Sequence, residues 1–270
     1  MPEGDTVWRT ASRLHAVFAG RTLTRSDLRW PTLATADLTG STTLEVVARG
    51  KHLLHRLDTG LTLHSHLRME GSWRVQATTE PPVRLTAPKI RAVLATADWT
   101  AVGWSLGMLD LLPTTDERTL VGHLGPDVLG PDWDADRAVA NLAAASAPIG
   151  AALLDQRNLA GLGTLWASEA LFLACLDPWT PASALPAERL EALVRRAQRL
   201  VEANRHHAVQ SSTGERGPGR TTYVHGRHHR PCRRCGVPID VKPIGEAPRD
   251  RVMFFCPRCQ SGPADARVQA

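Results

Sequence analysis

The sequence predicts an α+β protein of several parts: a leading helix, a β-rich N-terminal half, a helical stretch and a cysteine-bound hairpin. Three observations predict it. Short strand patterns with close turns crowd residues 22–113. The periodicity turns helical after Gly125-Pro126. Two cysteine pairs, Cys232-Arg-Arg-Cys235 and Cys256-Pro-Arg-Cys259, follow with twenty residues between them.

Residues 5–19 read as the leading helix. Val7, Trp8, Ala11, Leu14, Val17 and Phe18 recur at helical spacing, Asp5 or Thr6 can cap the start, and Gly20 is a natural stop. Thr43–Arg49 and His52–Leu57 read as strands, and Asp58-Thr-Gly60 turns into a third, Leu61–His66. Further strands fall at residues 72–75, 90–95 and 101–106. So many short strands with close turns predict a sandwich or a barrel-like sheet. Pro126, Pro131 and Asp132 mark a connection, and helical patterning begins near Asp134. Helices are expected at 149–156 and 165–173, separated by Asn158-Leu-Ala-Gly161-Leu-Gly163, and at 187–204. In the last, Leu190, Leu193, Val194, Ala197, Leu200 and Val201 form one apolar stripe, a packing face. Residues 211–219 read as a flexible loop by composition, and no internal repeat is visible.

A thiolate quartet at the spacing of the two pairs can wrap one tetrahedral metal, each Cys-x-x-Cys loop supplying two ligands. The alternative is two disulfides. Against it stand the length, 270 residues of which 43% are hydrophobic, which needs no stapling, and a start, Met1-Pro-Glu-Gly-Asp5, unlike a secretory signal. Zinc fits four cysteines best, and a closed sphere of four thiolates makes it structural. The fifth, Cys175, lies in the apolar run Leu171-Phe-Leu-Ala-Cys175-Leu176 and reads as a buried core thiol. Five reduced cysteines point to the cytoplasm, and the most apolar stretch, 138–154, is too short and interrupted to span a bilayer.

Lys and Arg number 32 against 27 acids, for a net charge of +5, and the excess is unevenly placed. Arg216, Arg220, Arg227, Arg230, Arg233 and Arg234 come with His225, His228 and His229 and no acid among them. A basic run entering a metal module suggests a polyanion, most simply nucleic acid; a solvated basic loop is the plainer alternative.

The N-terminus carries its own chemistry. Removal of Met1 before a small residue would leave the secondary amine of Pro2 free, able to attack an aldehyde-like carbon and form an iminium electron sink. An α-amine titrates at roughly 7.7–8.0 in model peptides, so part of it is unprotonated at neutral pH. Glu3, next in line, can move protons beside it. Taken alone, Met-Pro-Glu can equally carry no chemistry. Lys51 stands at a glycine turn between two apolar strand segments. It can contact a phosphate, help deprotonate Pro2, or simply snorkel to solvent.

Six segments in order resemble the formamidopyrimidine-DNA glycosylase and endonuclease VIII family over nearly the whole chain. They are Met1-Pro-Glu-Gly-Asp5, Arg49-Gly-Lys51-His-Leu-Leu54, His66-Leu-Arg-Met-Glu-Gly71, Leu124-Gly-Pro-Asp127, Leu154-Asp-Gln-Arg-Asn-Leu-Ala-Gly-Leu-Gly-Thr164, and Pro231-Cys-Arg-Arg-Cys-Gly236 with Phe255-Cys-Pro-Arg-Cys-Gln260. Gly4 after Pro2-Glu3 looks more like the endonuclease VIII branch, which prefers oxidised pyrimidines. The resemblance implies a β-sandwich domain (1–125), a helix–two-turn–helix domain (126–220) and a zinc-finger hairpin with its tail (221–270), with damaged DNA between them. It implies a bifunctional DNA glycosylase/AP lyase of base-excision repair that cleaves by β- and δ-elimination. Pro2 would be the nucleophile on C1′, Glu3 the proton carrier, and Lys51 a phosphate ligand near the lesion. Met69 matches the wedge that fills the hole left by a flipped base, with core packing as its alternative. Arg251 matches the phosphate-clamping arginine of the zinc finger, Arg249 being a nearby competitor. Cys232, Cys235, Cys256 and Cys259 would hold one Zn²⁺. The expected protein is a cytoplasmic, nucleoid-associated monomer with no membrane partner.

The resemblance departs at Thr164, where the family carries an asparagine that contacts phosphates, and at Thr6, where the endonuclease VIII branch tends to carry a second acid. Arg68 and Glu70 match neither branch. A second function class is therefore a non-catalytic DNA-binding zinc protein that retains the scaffold. A zinc-ribbon transcription or RNA factor leaves the upstream segments unexplained.

Overall fold

A computed structural model describes residues 2–79, 87–248 and 250–261, and the chain divides into two compact units, Met1–His123 and Leu124–Ala270.

The first unit begins with helix α1 (Gly4–Phe18), whose buried face of Val7, Ala11, Leu14 and Phe18 follows the helical repeat. Eight strands follow: β1 (Arg25–Leu28), β2 (Thr43–Arg49), β3 (His52–Leu57), β4 (Leu61–His66), β5 (Ser72–Ala77), β6 (Ile90–Ala95), β7 (Trp99–Trp104) and β8 (Met108–Pro113). They form two four-stranded antiparallel sheets, β1-β6-β7-β5 and β2-β3-β4-β8. Leu53, Leu57, Leu63 and Leu109 from one sheet share a core with Leu28, Trp73, Leu94 and Ala101 from the other and with α1, so the unit is a β-sandwich with a leading helix. Apart from shifts of two residues at the ends of β5 and β7, the sequence reading differs in three places. It lacks β1, a four-residue strand with two charges, and β8, which ends in a proline. It also sets the α1 cap at Asp5 or Thr6, whereas Glu3 holds the N-cap position with extended backbone and no side-chain capping bond, and Asp5 is buried in the first turn. A short helix, α2 (Arg118–Val121), ends the unit.

The second unit is helical: α3 (Ala135–Ala143), α4 (Ile149–Leu154), α5 (Thr164–Leu173) and α6 (Ala187–Asn204). Its core gathers Leu142, Leu153, Trp166, Leu171 and the α6 stripe, and takes in Ile244 and Met253 from the hairpin β9 (Asp240–Ile244)–β10 (Arg251–Phe255). The two turns joining α4 to α5 are braced by amides. Gln156 Nε2 donates to the Leu154 and Leu162 carbonyls, its Oε1 accepts from Gly161 N, and Asn158 Nδ2 donates to the Ala152 carbonyl. The Leu124-Gly-Pro-Asp127 segment lies against these turns, with Ala160 N donating to the Pro126 carbonyl at 2.8 Å. A β-carbon at Gly125 would meet the Arg157 carbonyl oxygen at 2.4 Å, which accounts for the glycine.

Residues 211–219, read as flexible, are tied by their own bonds. Ser211 exchanges two hydrogen bonds with Asn204 and donates to the Glu215 carbonyl, and Thr213 donates to the Arg220 carbonyl.

Candidate functional site

In the first unit the chain enters α1 through Pro2-Glu3. Pro2 is half-buried and Glu3 is fully buried, its carbonyl accepting from Val7 N at 2.9 Å. Asp5 is buried beside it, two residues into the chain's first helical turn, where the helix dipole favours negative charge. Two shielded carboxylates and a proline are thus fixed by the start of one helix. Met1 lies outside the described residues.

Lys51 sits in the two-residue turn Gly50-Lys51 that joins β2 to β3, with Arg49 and His52 paired across it. Gly50 carries φ +58°, a left-handed conformation that glycine enters without strain. The turn is the end of a polar sheet face. His52 faces His66 across β3–β4, and His64 faces Asp110 across β4–β8. His52 Nδ1 lies 2.8 Å from His64 Nε2, and His64 Nδ1 lies 2.8 Å from Asp110 Oδ2. Burial above all, then the charges of His66, His64, His123 and Lys51, push His52 down to about 3. Burial, then Lys51, His64 and Arg68, push His66 down to about 4. Both imidazoles are therefore neutral at pH 7. Farther along the same face Arg56 bridges Glu45 and Glu117 at 2.6 Å each, a structural network.

Met69 lies in the loop between β4 and β5 and is 67% exposed, so core packing is excluded for it. The loop is drawn tight: Gly71 N donates to the Leu67 carbonyl, and a β-carbon at Gly71 would meet that oxygen at 2.3 Å. Arg68 holds φ +50°, strained for a residue with a side chain.

In the second unit Thr164 opens α5, directly after Gly163 at the N-cap, and is buried. Asn158 spends its amide on bracing the turns, so it is not a stand-in for a phosphate-contacting asparagine. Arg251 is the first residue of β10, exposed at the hairpin end and paired with Ile244. Arg249 lies outside the described residues.

Cys232, Cys235, Cys256 and Cys259 bring all four Sγ atoms within 4.8 Å of one another, with 3.9 Å between Cys232 and Cys259 and 3.5 Å between Cys235 and Cys256. Around a tetrahedral zinc with bonds of about 2.3 Å, sulfurs stand roughly 3.8 Å apart, so the quartet fits a metal ion. None of the four is in a disulfide. Backbone N–H groups of Arg234 and Cys259 donate to Cys232 and Cys256 sulfurs at 3.4 Å, as suits thiolates. Gln260 ties the second loop down, its amide accepting from Cys256 N and donating to the Leu176 carbonyl. Cys175 is not the buried core thiol that its neighbours in sequence suggest. It is half-buried at φ +53°, and Arg234 Nη1 donates to its sulfur at 2.9 Å.

Glu169 on α5 was not legible in the sequence. It is fully buried and accepts from the N–H groups of Tyr223, Val224 and His225 at 2.8 Å each and from Ser212 Oγ. Burial pushes its carboxyl up, while the four donors work against that shift. One carboxylate thus pins the basic loop that leads to the first cysteine pair.

Residues 1–104 match the family model described as the formamidopyrimidine-DNA glycosylase N-terminal domain, and residues 124–213 match the formamidopyrimidine-DNA glycosylase H2TH domain. The chain belongs to the formamidopyrimidine-DNA glycosylase family. Within it, the stronger likeness is to the endonuclease VIII branch. A protein of Streptomyces coelicolor named probable endonuclease 8 2 is 54% identical, over 98% of this chain and 95% of its own length. The DNA-(apurinic or apyrimidinic site) lyase Nei2 of Mycolicibacterium smegmatis is 44% identical over 97% and 99%, whereas the formamidopyrimidine-DNA glycosylase of Paracoccus denitrificans is 32% identical over 96% and 99%. The Lactococcus lactis enzyme Fpg, solved in complex with DNA containing an abasic site, shares the fold with a TM-score of 0.80 at 23% identity, covering 97% of this chain and 100% of its own.

Proposed function

We propose that this chain is a bifunctional DNA glycosylase and AP lyase of base-excision repair, acting on oxidised bases with pyrimidines ahead of 8-oxoguanine. The observation that carries the reading is Pro2-Glu3 at the start of α1, with Glu3 wholly shielded from water, in a chain so similar to endonuclease 8 and lyase relatives along its length.

With Met1 removed, the Pro2 nitrogen attacks C1′ of the damaged nucleotide as the bond to the base breaks. As the bond from C1′ to the ring oxygen also opens, one proton from Glu3 and the proton lost by the Pro2 nitrogen end on the leaving base and the ring oxygen, and the opened sugar is left as an iminium on Pro2. The iminium makes the C2′ proton acidic. Its removal expels the 3′ phosphate (β-elimination), and a second elimination expels the 5′ phosphate (δ). Hydrolysis of the iminium frees Pro2. Lys51 binds phosphate near the lesion. Flipping the base out costs a few kcal/mol, least for a weakened pair, and the exposed Met69 fills the gap. Thr164, with a hydroxyl at the positive end of α5, and Arg251, with a planar fork, hold backbone phosphates.

The four cysteines hold one Zn²⁺ with no open position, so the metal is structural and its removal acts through the hairpin. Functionally the chain divides at 125/126 and 220/221. No described helix is long and apolar enough to cross a membrane. We place the protein in the cytoplasm, at the nucleoid, as a monomer.

Borohydride trapping on abasic-site DNA tests the reading. The wild type should cross-link, and Pro2→Gly should lose cross-linking while binding the same DNA within about twofold. A wild type that traps on no lesion would return the chain to the class of non-catalytic DNA-binding proteins. A cleavage panel carrying an abasic site, 5,6-dihydrouracil, thymine glycol and 8-oxoguanine checks the order of preference.

A further inference from the structure

The polar face of the sheet β2-β3-β4-β8 carries a chain of side chains that the glycosylase reading leaves unused. Asp110, His64 and His52 stand on three neighbouring strands, two links of 2.8 Å joining them, and the chain ends beside the turn of Lys51. His64 is wholly buried between its two partners, and its ring lies within 26° of the plane of His52 with centroids 5.0 Å apart, as a bond from ring nitrogen to ring nitrogen requires.

The polarity of this chain follows from what each group can do. A carboxylate only accepts, so His64 must donate from Nδ1 to Asp110. Lys51 and the imidazoles of His66 and His123 surround His52, with Arg68 beside His66 and Arg49 opposite His52 across the turn, so a second proton on His52 is disfavoured. With that one proton on its ring, His64 accepts at Nε2, and the donor it accepts from is His52 Nδ1–H; this polarity is part of the proposal that follows. His52 is thereby held in one tautomer, with its proton on Nδ1 and a lone pair on Nε2. His66, edge-on to His52 at 5.0 Å, restrains the ring from the other side.

We propose that Asp110 and His64 are positioning residues. They fix the ring and the tautomer of His52, so that a neutral acceptor nitrogen stands next to Lys51 and steadies its ammonium without adding charge. This rests on the reading that Lys51 acts in the reaction. The carboxylate–imidazole–imidazole chain does for a lysine turn what an orienting carboxylate does for a catalytic imidazole: it sets which nitrogen carries the proton.

The test uses the full-length protein labelled with ¹⁵N in its histidines. In the wild type at pH 7 the His52 nitrogen shifts should place the proton on Nδ1 and leave Nε2 unprotonated. Asp110→Ala, a change at a side chain 44% exposed, should mix the His52 tautomers without unfolding the sheet. His64→Phe, which keeps an aromatic ring in the buried slot but has no nitrogen, should do the same. In single-turnover cleavage of abasic-site DNA both variants should slow on the order of tenfold, the scale of a misplaced positioning group, with affinity changed by less than about twofold. A wild-type His52 protonated at Nε2 overturns the proposal, and so do variants that cleave at the wild-type rate. A wild type that cleaves no abasic-site DNA overturns the glycosylase reading and the positioning role with it, while the nitrogen shifts alone still decide the polarity of the chain.

Discussion

In residues 1–123 each candidate residue sits where a regular element starts or turns: Pro2 and Glu3 at the mouth of α1, Lys51 in a two-residue hairpin, Met69 in the loop after β4. In residues 124–270 only Thr164 and Arg251 begin regular elements, and the surrounding loops are held by individual side-chain atoms. Glu169, Asn204, Gln156, Gln260 and four sulfurs do that work. Backbone ladders place the first set, and they lose little when one side chain changes. Buried polar atoms place the second, and there the loss of one atom leaves several partners unsatisfied.

The largest effect should separate the units outright. Chelation, or Cys232→Ser, should remove the proposed zinc, and binding at small structural zinc sites is worth about 10–16 kcal/mol. The hairpin and the loops at the two cysteine pairs should lose amide-exchange protection, and DNA affinity should fall with them. The sandwich of residues 1–123 should keep its protection. Equal loss in both units would show that they are not held by different means.

A smaller break tests the carboxylate. Glu169→Ala strands three backbone N–H groups, one buried and two partly buried, and one hydroxyl, at about 1–3 kcal/mol for each buried group left unpaired. The variant should lose on the order of 3 kcal/mol or more in denaturant unfolding and should show proteolytic cleavage within 211–225. Wild-type resistance there would mean that Arg227, which donates to the carbonyls of Thr222, Tyr223 and Pro231, holds the loop by itself.

The same contrast governs what could be read from the sequence. β2, β3, β4 and β6, α5 and α6 were legible because periodicity and turn chemistry are local. So was the cysteine quartet, because its spacing is the signal. β1 was lost because Arg25-Ser-Asp-Leu28 is too short and charged to show alternation, and β8 because Pro113 ends it. Without β8, nothing in the sequence could bring Asp110 to His64, 46 residues away. Glu169 was hidden for a like reason: its partners lie 43–56 residues on, Ser212 in the segment read as a flexible loop and Tyr223, Val224 and His225 in the basic run beyond it. Cys175 was misread because an apolar run says nothing of the left-handed turn that carries its sulfur to Arg234.

The smallest effect concerns acid and the ladder-built unit. His55 points into the core of the sandwich, its Nε2 2.7 Å from Thr43 Oγ1 and its ring edge-on to Phe18 of α1. Burial pushes it down to about 4 from an ordinary 6.5. Unfolding frees the ring to bind a proton that the folded state refuses, so the unfolded chain takes up more protons between pH 6.5 and 4. Stability from this group is therefore complete above about pH 6.5 and declines as the pH falls toward 4. At pH 5 the linkage amounts to about 2 kcal/mol. His55→Gln can keep a hydrogen bond to Thr43 and cannot titrate, so it should lose about 2 kcal/mol less than the wild type between pH 7 and pH 5 in urea unfolding. Because Phe18 and Val7 share the buried face of the helix that fixes Pro2 and Glu3, the acid loss of the wild type should appear first as reduced amide protection in α1. If variant and wild type lose stability in parallel, the acid sensitivity of this unit resides in the His52–His66 end of the sheet and not in its core.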